Sequence, residues 1–199
     1  MDNKHTLAAL FSMGVKGEKA DARALASRLG LRVEEASEEI AQLKRLGLVS
    51  LDGKSARLTA KGRKTIRVVF IGGGFELIHY GHVYTISKAK GLGDVLVVSV
   101  ARDSTIRKRK KREPLISEED RVRLLSSLRQ VDAAILGVEG DIYVTLEKVM
   151  PDVVALGYDQ YHLEDQVKSE AAKRGMKIKV VRLDSPYPKI KTTRILNEF

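Results

Sequence analysis

Residues 70–82 read FIGGGFELIHYGH, an apolar run that ends in glycines and is followed by two histidines. The apolar residues 68–71 predict a buried strand, and the glycines 72–74 let a ligand approach main-chain N–H groups closely, because glycine has no side chain. His79 and His82 lie at i and i+3 at the start of a predicted helix, so both imidazoles can lie on one helix face. Amides, a helix N-terminus and two imidazoles at one point are suited to binding a phosphate chain.

Two other interpretations of this stretch are open. The glycines can form a plain tight turn, with the histidines in structural roles. A zinc site is the other alternative, but two histidines without a cysteine or a nearby pair of acidic ligands make a poor zinc site. The complete pattern G-G-x-F-x-x-x-H-x-G-H, with a strand before it and a helix after it, is far more specific than its parts. It favours nucleotide binding.

Beyond residue 65, β-rich runs alternate with helical runs. The runs that predict strands are residues 68–71, 95–100, 133–136, 153–156 and 178–183. The runs that predict helices are residues 80–90, 118–129, 142–149, 164–174 and a last one from Thr192. Strands that are apolar throughout and separated by helices indicate a parallel sheet covered on both faces. With right-handed crossovers, this pattern predicts an α/β fold with a doubly wound, Rossmann-like, five-stranded parallel sheet that binds its ligand beyond the carboxyl ends of the strands.

The first 65 residues have a different pattern. They predict three helices and then a hairpin with an Asp-Gly turn, at residues 5–12, 20–29, 33–46, 48–51 and 56–58. This order is typical of a winged helix-turn-helix domain. Residues 58–62, LTAKG, resemble the end of the wing in that family. We therefore predict a small winged-helix domain at residues 1–65 and a separate α/β domain at residues 66–199.

Residues 73–82 resemble the H-x-G-H signature of the nucleotidyltransferase superfamily, which includes cytidylyltransferases and several adenylyltransferases. The similarity covers residues 67–199 and is greatest to archaeal FAD synthases, through residues 89–94, 101–103, 131–132, 151–152 and 156–160. Two features depart from these families: Glu76 stands where the superfamily usually has Asp, and the C-terminal cysteines of archaeal FAD synthases are absent. Residues 190–195, IKTTRI, instead resemble the I-S-T-T-K-I element of glycerol-phosphate cytidylyltransferases, with Lys191 in place of Ser.

The resemblance implies a nucleotidyltransferase domain at residues 66–199, an enzyme that transfers a nucleoside monophosphate from ATP or CTP to a phosphorylated acceptor and releases pyrophosphate. FMN with ATP is the first hypothesis, and glycerol 3-phosphate with CTP is the second. A hypothesis of another class is a winged-helix DNA-binding regulator whose nucleotide domain senses a ligand. We expect Mg²⁺ or another divalent cation, held mainly by the nucleotide phosphates without protein ligands. The residues predicted to bind the nucleotide are Gly73, Gly74, Phe75, His79, Tyr80, Gly81, His82, Asp159, Gln160, Thr192 and Thr193.

The chain offers no obvious nucleophile, so catalysis is expected to consist of positioning and charge stabilisation. His79 and His82 would donate hydrogen bonds to the α-phosphate and the bridging oxygen, where negative charge grows. Residues 107–112 read RKRKKR and follow the second strand on the binding edge. A solvated charge run, a nuclear-localisation signal or a nucleic-acid site is possible, but the position favours a mobile loop that clamps phosphates. In the resembling families this loop carries lysines that contact the triphosphate and the acceptor phosphate, and the resemblance places these catalytic lysines at Lys108 and Lys110.

Ser117 and Asp120 predict a capping box that begins the following helix, and Arg121 in its first turn is expected to contact the acceptor phosphate. Near the C-terminus, Thr192 and Thr193 can cap the last helix among three cations, Lys189, Lys191 and Arg194. A simple cap is one interpretation, and binding of the β- and γ-phosphates is the other, with Arg194 in the catalytic set. Asp159 is the acidic candidate for recognising base or ribose, or else it caps the end of a strand.

The third predicted helix of the N-terminal domain argues against specific DNA binding. Its N-terminal half, which would enter the major groove, carries four glutamates, Glu34, Glu35, Glu38 and Glu39. Carboxylates there would repel phosphates, and Lys44 and Arg45 come too late in the helix to offset them. Arginines on and after the second helix keep DNA binding possible, but we favour packing on the catalytic domain or a dimer interface.

The composition of the chain is consistent with a nucleotide-binding enzyme. The formal charge of +10 is suited to an anionic partner, either nucleotide or nucleic acid. The absence of cysteine excludes disulfides, thiolate metal sites and cysteine nucleophiles. No apolar stretch has the length of a membrane span, and residues 1–20 lack a signal-peptide core. We therefore expect a cytoplasmic enzyme without a membrane partner, and we expect it to form a homodimer.

Overall fold

The structure is a computed structural model that describes residues 3–158, 160, 163–187, 190, 192 and 195. The chain divides into two compact units, Met1–Arg67 and Val68–Phe199. The independence of these units in folding stays a prediction. None of the helices in the described ranges has the length and hydropathy to cross a membrane.

The N-terminal unit has three helices, a hairpin and a short fourth helix. Their bounds are α1 Asn3–Val15, α2 Ala22–Leu29, α3 Val33–Arg45, β1 Val49–Asp52, β2 Ser55–Leu58 and α4 Ala60–Arg63. The Asp21 carboxylate accepts from the Ala24 N–H to begin α2, and Gly30, with φ of 68°, ends it. The Ala56 N–H donates to the Ala20 carbonyl, which ties the segment before α2 to β2. The predicted order of helices and hairpin is confirmed; the winged helix-turn-helix assignment stays a prediction.

The second unit is built on a five-stranded sheet whose described strands are all parallel. The strands are β3 Val68–Gly73, β4 Val95–Val100, β5 Ala133–Leu136, β6 Val153–Leu156 and β7 Lys179–Arg182, in the spatial order β5-β4-β3-β6-β7. Most of their side chains are apolar on both faces, as in a sheet covered by helices on both sides; Phe70 and Val97, for example, are fully buried. The predicted fold class is thereby confirmed.

The first strand of this sheet lies at its centre, with β4 on one side and β6 on the other. After β3 the chain therefore adds β4 and β5 on one side of this strand, and it then adds β6 and β7 on the other side. The crevice beyond the carboxyl ends of β3 and β6 is the topological switch point, where α/β sheets bind ligands. The residues that follow β3 begin at Gly74, so the glycine–histidine element lies at this switch point.

The helices of the second unit are α5 Tyr80–Lys90, α6 Asp103–Lys110, α7 Glu118–Ser126, α8 Ile142–Val149 and α9 Glu164–Lys173. The capping box at the start of α7 is confirmed, because the Ser117 hydroxyl accepts from the Asp120 N–H. The prediction of a loop across the basic run is wrong, since residues 107–110 form the last turn of α6. Buried Ile106 anchors this helix, and the Glu118 carboxylate accepts from the Asp103 N–H at 2.6 Å.

Two aspartates in segments that resemble FAD synthases hold the amino ends of the strands. The Asp132 carboxylate accepts from the Leu96 N–H and the Lys90 ammonium, both at 2.6 Å. The Asp152 carboxylate accepts from the Val68 N–H at 2.6 Å. Both contacts lie at the edge of the sheet opposite the switch point. The roles of these aspartates are therefore structural.

Candidate active site

A cavity of about 300 Å³ lies at the carboxyl ends of β3 and β6. This volume is at the lower end of the range for small-molecule sites. The structure brings together nine of the predicted site residues in its lining, which are Gly73, Gly74, Phe75, His79, Gly81, His82, Lys110, Gln160 and Thr192. The lining also contains four polar residues with side-chain hydroxyls that the predicted site did not include, which are Thr85, Tyr158, Ser185 and Tyr187.

The two histidines stack on each other at the start of α5. Their ring centroids are 3.9 Å apart and their planes are inclined by 22°. His79 has an extended backbone, with φ of −134°, and is the N-cap position of the helix. A Cβ at Gly81 would lie 3.1 Å from two atoms of the His79 ring. Glycine at this position therefore lets the His79 ring lie against the helix, and both imidazoles contribute to one wall of the cavity.

Phe75 has a strained backbone that shapes the turn after β3. Its φ is +50°, a left-handed conformation that is unfavourable for a bulky L-residue. The side chain is nonetheless buried, and its ring centroid is 5.3 Å from that of His82. A Cβ at Gly73 would lie 2.8 Å from the Phe75 ring, so that position has no room for a side chain. Strain of this kind is typical of functional sites whose surroundings force one conformation.

Arg121 is not among the described residues that line the cavity, and its expected contact with the acceptor stays a prediction. Its side chain is fully buried. The guanidinium donates to the Gly74 carbonyl at 2.6 Å, the Ala101 carbonyl at 2.8 Å and the Asp103 carboxylate at 2.5 Å. These bonds join the ends of β3 and β4 to the start of α6. Arg121 is therefore a structural brace beneath the site.

The two lysines predicted from the basic run differ in position. Lys110, the last residue of α6, lines the cavity and contacts the carboxylate of Glu76. Lys108 is exposed on the same helix and is not among the described lining residues. The helix turns these neighbouring lysines in different directions, a distinction that the assumption of a loop could not make.

Glu76 is a buried carboxylate next to the cavity. Its side chain has no exposed surface. Arg112 grips it with two nitrogens, Nη1 at 2.7 Å from Oε1 and Nη2 at 3.1 Å from Oε2, and Lys110 Nζ bonds Oε2. Burial by itself raises the pKa of the Glu76 carboxyl, but the hydrogen bonds from Arg112 and Lys110 outweigh burial and hold this pKa below its ordinary value. Glu76 is therefore ionised and paired.

A second wall of the cavity comes from the segment after β6. The Gln160 side-chain amide donates to the Gly72 carbonyl at 2.6 Å, which ties this segment to β3. Arg182 Nη1 donates to the carbonyls of Gly157 and Gln160, both at 3.0 Å. The hydrogen bond from Arg182 Nε lowers the pKa of Glu164 to about 2. This ion pair anchors the segment to α9.

Other predicted residues lie away from the lining or outside the described part of the chain. Tyr80 is 57% exposed and packs edge-on against Tyr187, with ring centroids 4.8 Å apart, so Tyr187 and not Tyr80 meets the cavity. The predicted residues outside the described ranges are Asp159, Lys189, Lys191, Thr193 and Arg194. Thr192 is described, and its hydroxyl lies 3.4 Å from the Leu77 carbonyl.

Comparison with known proteins identifies the family. Residues 70–198 match the cytidylyltransferase-like family, and the chain belongs to this family. It is 44% identical over 137 residues to the FAD synthase of Thermococcus onnurineus, spanning 67% of this chain and 91% of that one. It is 48% identical over 115 residues to the FAD synthase of Aciduliprofundum boonei, spanning 58% of this chain and 76% of that one. The resemblance inferred from the sequence is confirmed, and the protein is a nucleotidyltransferase.

One solved structure and one further family are also similar. The crystal structure of the lipopolysaccharide core biosynthesis protein from Thermoplasma volcanium is 42% identical with a TM-score of 0.58, and the similarity covers 60% of this chain and 98% of that one. Residues 15–64 match the HemN C-terminal domain. This second match falls within the N-terminal unit and belongs to a domain different from the nucleotidyltransferase.

Proposed function

We propose that the protein is an FMN adenylyltransferase, an FAD synthase that transfers AMP from ATP to FMN and releases pyrophosphate. The observation that carries this proposal is the similarity to archaeal FAD synthases over more than half of this chain. The geometry supports it, because the cavity at the switch point combines glycines, two stacked imidazoles and a cation. These groups are suited to binding a nucleoside triphosphate.

The reaction forms one P–O bond and breaks another. A phosphate oxygen of FMN attacks the α-phosphorus of ATP in line, and the bond from that phosphorus to the bridging oxygen of pyrophosphate breaks. His79 and His82 donate hydrogen bonds to the α-phosphate and the bridging oxygen, which gain charge in the transition state. Lys110 and Arg194 neutralise the remaining phosphate charge; Lys108, which is exposed and outside the described lining, is not needed for this step. Catalysis is then positioning and electrostatic stabilisation without a covalent enzyme intermediate.

The nucleoside is proposed to lie between α5 and the segment after β6. Asp159 and Gln160 recognise the base or ribose, and Tyr187 offers an aromatic surface at the cavity. Thr192 and Thr193 are proposed to bind the β- and γ-phosphates at the start of the helix predicted from the sequence. In this arrangement the α-phosphate lies against the histidines and the acceptor approaches from the side of Lys110.

A divalent cation is proposed to accompany the triphosphate. Within the described ranges, no group of three or more His, Cys, Asp or Glu side chains is placed to hold a metal. The buried carboxylate nearest Lys110 is that of Glu76, which is already engaged by two cations. In the proposal the ion is held by phosphate oxygens of the nucleotide, and none of the steps above uses a protein ligand to it.

A panel of substrates tests the proposal. The protein is incubated with Mg²⁺ and either ATP or CTP, against FMN or glycerol 3-phosphate, while pyrophosphate and the nucleotide product are measured. We expect pyrophosphate and FAD to form together from ATP and FMN. Pyrophosphate release only from CTP and glycerol 3-phosphate would contradict the proposal and establish the cytidylyltransferase alternative, which the segment 190–195 resembles.

A further inference from the structure

We propose that Glu76 is a positioning residue that holds Lys110 at the cavity and releases it to the triphosphate, while Arg112 keeps the carboxylate paired. This inference rests on the proposed function only in taking a nucleoside triphosphate as the ligand. It assigns a role to the glutamate that replaces the usual aspartate of the superfamily. It also assigns one to Arg112, which is not among the described residues that line the cavity.

The contacts are asymmetric in a way that permits release. Arg112 binds both carboxylate oxygens through two nitrogens, at 2.7 and 3.1 Å, whereas Lys110 contacts Oε2 alone. A bidentate arginine–carboxylate pair is geometrically fixed, while a lysine is a flexible point charge. Lys110 lines the cavity, so a phosphate bound there competes directly with Glu76 for its ammonium group.

The charges of this cluster favour the movement of Lys110 from Glu76 to a phosphate. One buried carboxylate faces two cations, so the cluster carries a net charge of +1 next to the cavity. Leaving a buried charge without a partner is strongly unfavourable, which would hold Lys110 in place if it were the carboxylate's single partner. Because Arg112 remains on Glu76, Lys110 can move to a phosphate without leaving the carboxylate unpaired. Arg112 thus determines how readily Lys110 is released.

The backbone places both cations on the same carboxylate. Lys110 ends α6, and Lys111 adopts a left-handed conformation with φ of 55°, which turns the chain sharply. Arg112 consequently returns to the carboxylate that Lys110 already contacts. The side chains of Lys110 and Arg112 are 36% and 34% exposed, whereas that of Glu76 has no exposed surface. The anion is the buried, immobile member of the cluster and the cations are its movable members.

The test measures binding of Mg-ATP, and of Mg-CTP in parallel, by calorimetry without any acceptor. Arg112→Met leaves Lys110 as the main partner of Glu76, so we expect ATP to bind about tenfold more weakly, a loss typical of a hydrogen bond to a charged group. The double variant Arg112→Met/Glu76→Gln removes the competing carboxylate, and we expect it to bind ATP more tightly than Arg112→Met. The matched control is Arg123→Met. The Arg123 side chain lies on α7, is 80% exposed and pairs with Asp120. This variant should bind ATP like the wild type.

Measurements of turnover distinguish a positioning role of Glu76 from a merely structural one. With Glu76→Gln we expect KM for the nucleotide to change by less than about threefold and kcat to fall by about tenfold or more, because Lys110 no longer starts from a fixed position at the cavity when it moves to the charge that develops on the phosphates in the transition state. Glu76→Asp keeps the charge and should recover most of the lost kcat. Thermal melting of each variant verifies folding; if Arg112→Met does not fold, Arg112→Lys replaces it, because it keeps the charge and removes the bidentate contact.

Equal nucleotide affinity in Arg112→Met and Arg123→Met would overturn the inference. So would a double variant that binds no better than Arg112→Met, and so would a chain that binds neither nucleotide. Failure of the proposed function has a different signature. If the variants show the expected order of nucleotide affinities but the protein forms no FAD from ATP and FMN, FMN is not the acceptor. The role of Glu76 is then still supported.

Discussion

The stacked histidines are the residues on which the proposed chemistry depends most. Their ring centroids are 3.9 Å apart, and they lie where β3 delivers the backbone to the start of α5. Two donors at this spacing can contact neighbouring oxygens of one phosphate chain. If they bind charge that develops during the reaction, they accelerate turnover more than they strengthen binding of the ground state.

We predict that His82→Ala folds normally, binds ATP within a few-fold of the wild type, and loses about 10²–10³ in kcat, the usual cost of removing one oxyanion donor. His5→Ala is the matched control, because His5 is exposed on α1 in the other unit. Steady-state kinetics and calorimetry measure the two quantities. Near-normal turnover in His82→Ala would contradict the catalytic role, and the glycine–histidine element would then be a turn that only binds the ligand.

Arg121 provides a test of structure against binding. Its guanidinium donates to three carbonyls and the Asp103 carboxylate in a fully buried setting, so Arg121→Met should lower the free energy of unfolding by about 3–5 kcal/mol. Arg123→Met, two residues along the same helix and 80% exposed, should change it by less than about 0.5 kcal/mol. Urea denaturation measures both. A stable Arg121→Met protein with a raised KM for FMN would instead support the acceptor contact expected from the sequence.

At the scale of elements, close backbone contacts decide which residues are tolerated. The short helix α4 packs so tightly on the segment before β1 that a Cβ at Gly62 would lie 1.9 Å from the Leu48 carbonyl oxygen. Thr59 begins this helix by accepting from the Gly62 N–H, and its own N–H donates to the same Leu48 carbonyl. The cap and the glycine therefore form one tightly packed corner after the hairpin.

Two glycine substitutions in helices of the N-terminal unit should have opposite effects. Gly62→Ala must displace backbone, so we expect a loss of about 1–3 kcal/mol in the free energy of unfolding. Gly14→Ala, in α1, meets no atom within 4 Å and should stabilise by about 0.5–1 kcal/mol, because alanine is the better helix former. Thermal and urea unfolding measure both. Equal stability of the two variants would contradict the packing at Leu48.

At the scale of the whole molecule, the described lining residues of the cavity all belong to the unit Val68–Phe199. The N-terminal unit has its own buried apolar residues, including Leu7, Leu25 and Leu43. We predict that a truncated chain beginning at Lys64 keeps measurable turnover if it is folded. Steady-state kinetics measure the turnover, and circular dichroism verifies that the truncated chain is folded. Light scattering tests whether it forms the expected homodimer. A folded, inactive truncation would mean that the first unit completes the site or a required dimer.

Binding of the untruncated 199-residue chain to DNA should be weak. Of the four glutamates in the first half of α3, two have internal partners: Glu35 accepts from the Arg32 N–H at 2.9 Å, and Glu39 contacts the Thr6 hydroxyl at 2.5 Å. Glu34 and Glu38 are exposed and would repel phosphates. We expect dissociation constants of about 10⁻⁴–10⁻⁶ M at physiological salt in fluorescence anisotropy, and tighter binding by Glu34→Gln/Glu38→Gln. Specific nanomolar binding by the wild type would support the regulator hypothesis instead.

Local pattern was sufficient to predict the α/β alternation, the strand at residues 68–71 and the histidine pair at the start of α5. These features depend on apolar runs and on residues within one or two turns of each other, whose geometry the backbone largely dictates. The helix α6 escaped prediction because a run of basic residues carries little apolar periodicity, and one buried residue, Ile106, anchors it. Local sequence therefore determined the other described strands and helices of the second unit and the location of the candidate site.

Tertiary structure alone decided the order of the strands, the burial of Arg121 and the pairing of Glu76 with Lys110 and Arg112. Arg121 reaches Gly74 across 47 positions, and Glu76 meets Lys110 across 34. Contacts between residues this distant in sequence exist only after β3 and β4 are paired and α6 is folded against them. A charged side chain on a helix can face solvent, a ligand or the interior, and its sequence neighbours do not distinguish these. Which partner satisfies a buried charge is decided by the assembled fold, because leaving that charge unpaired is so unfavourable.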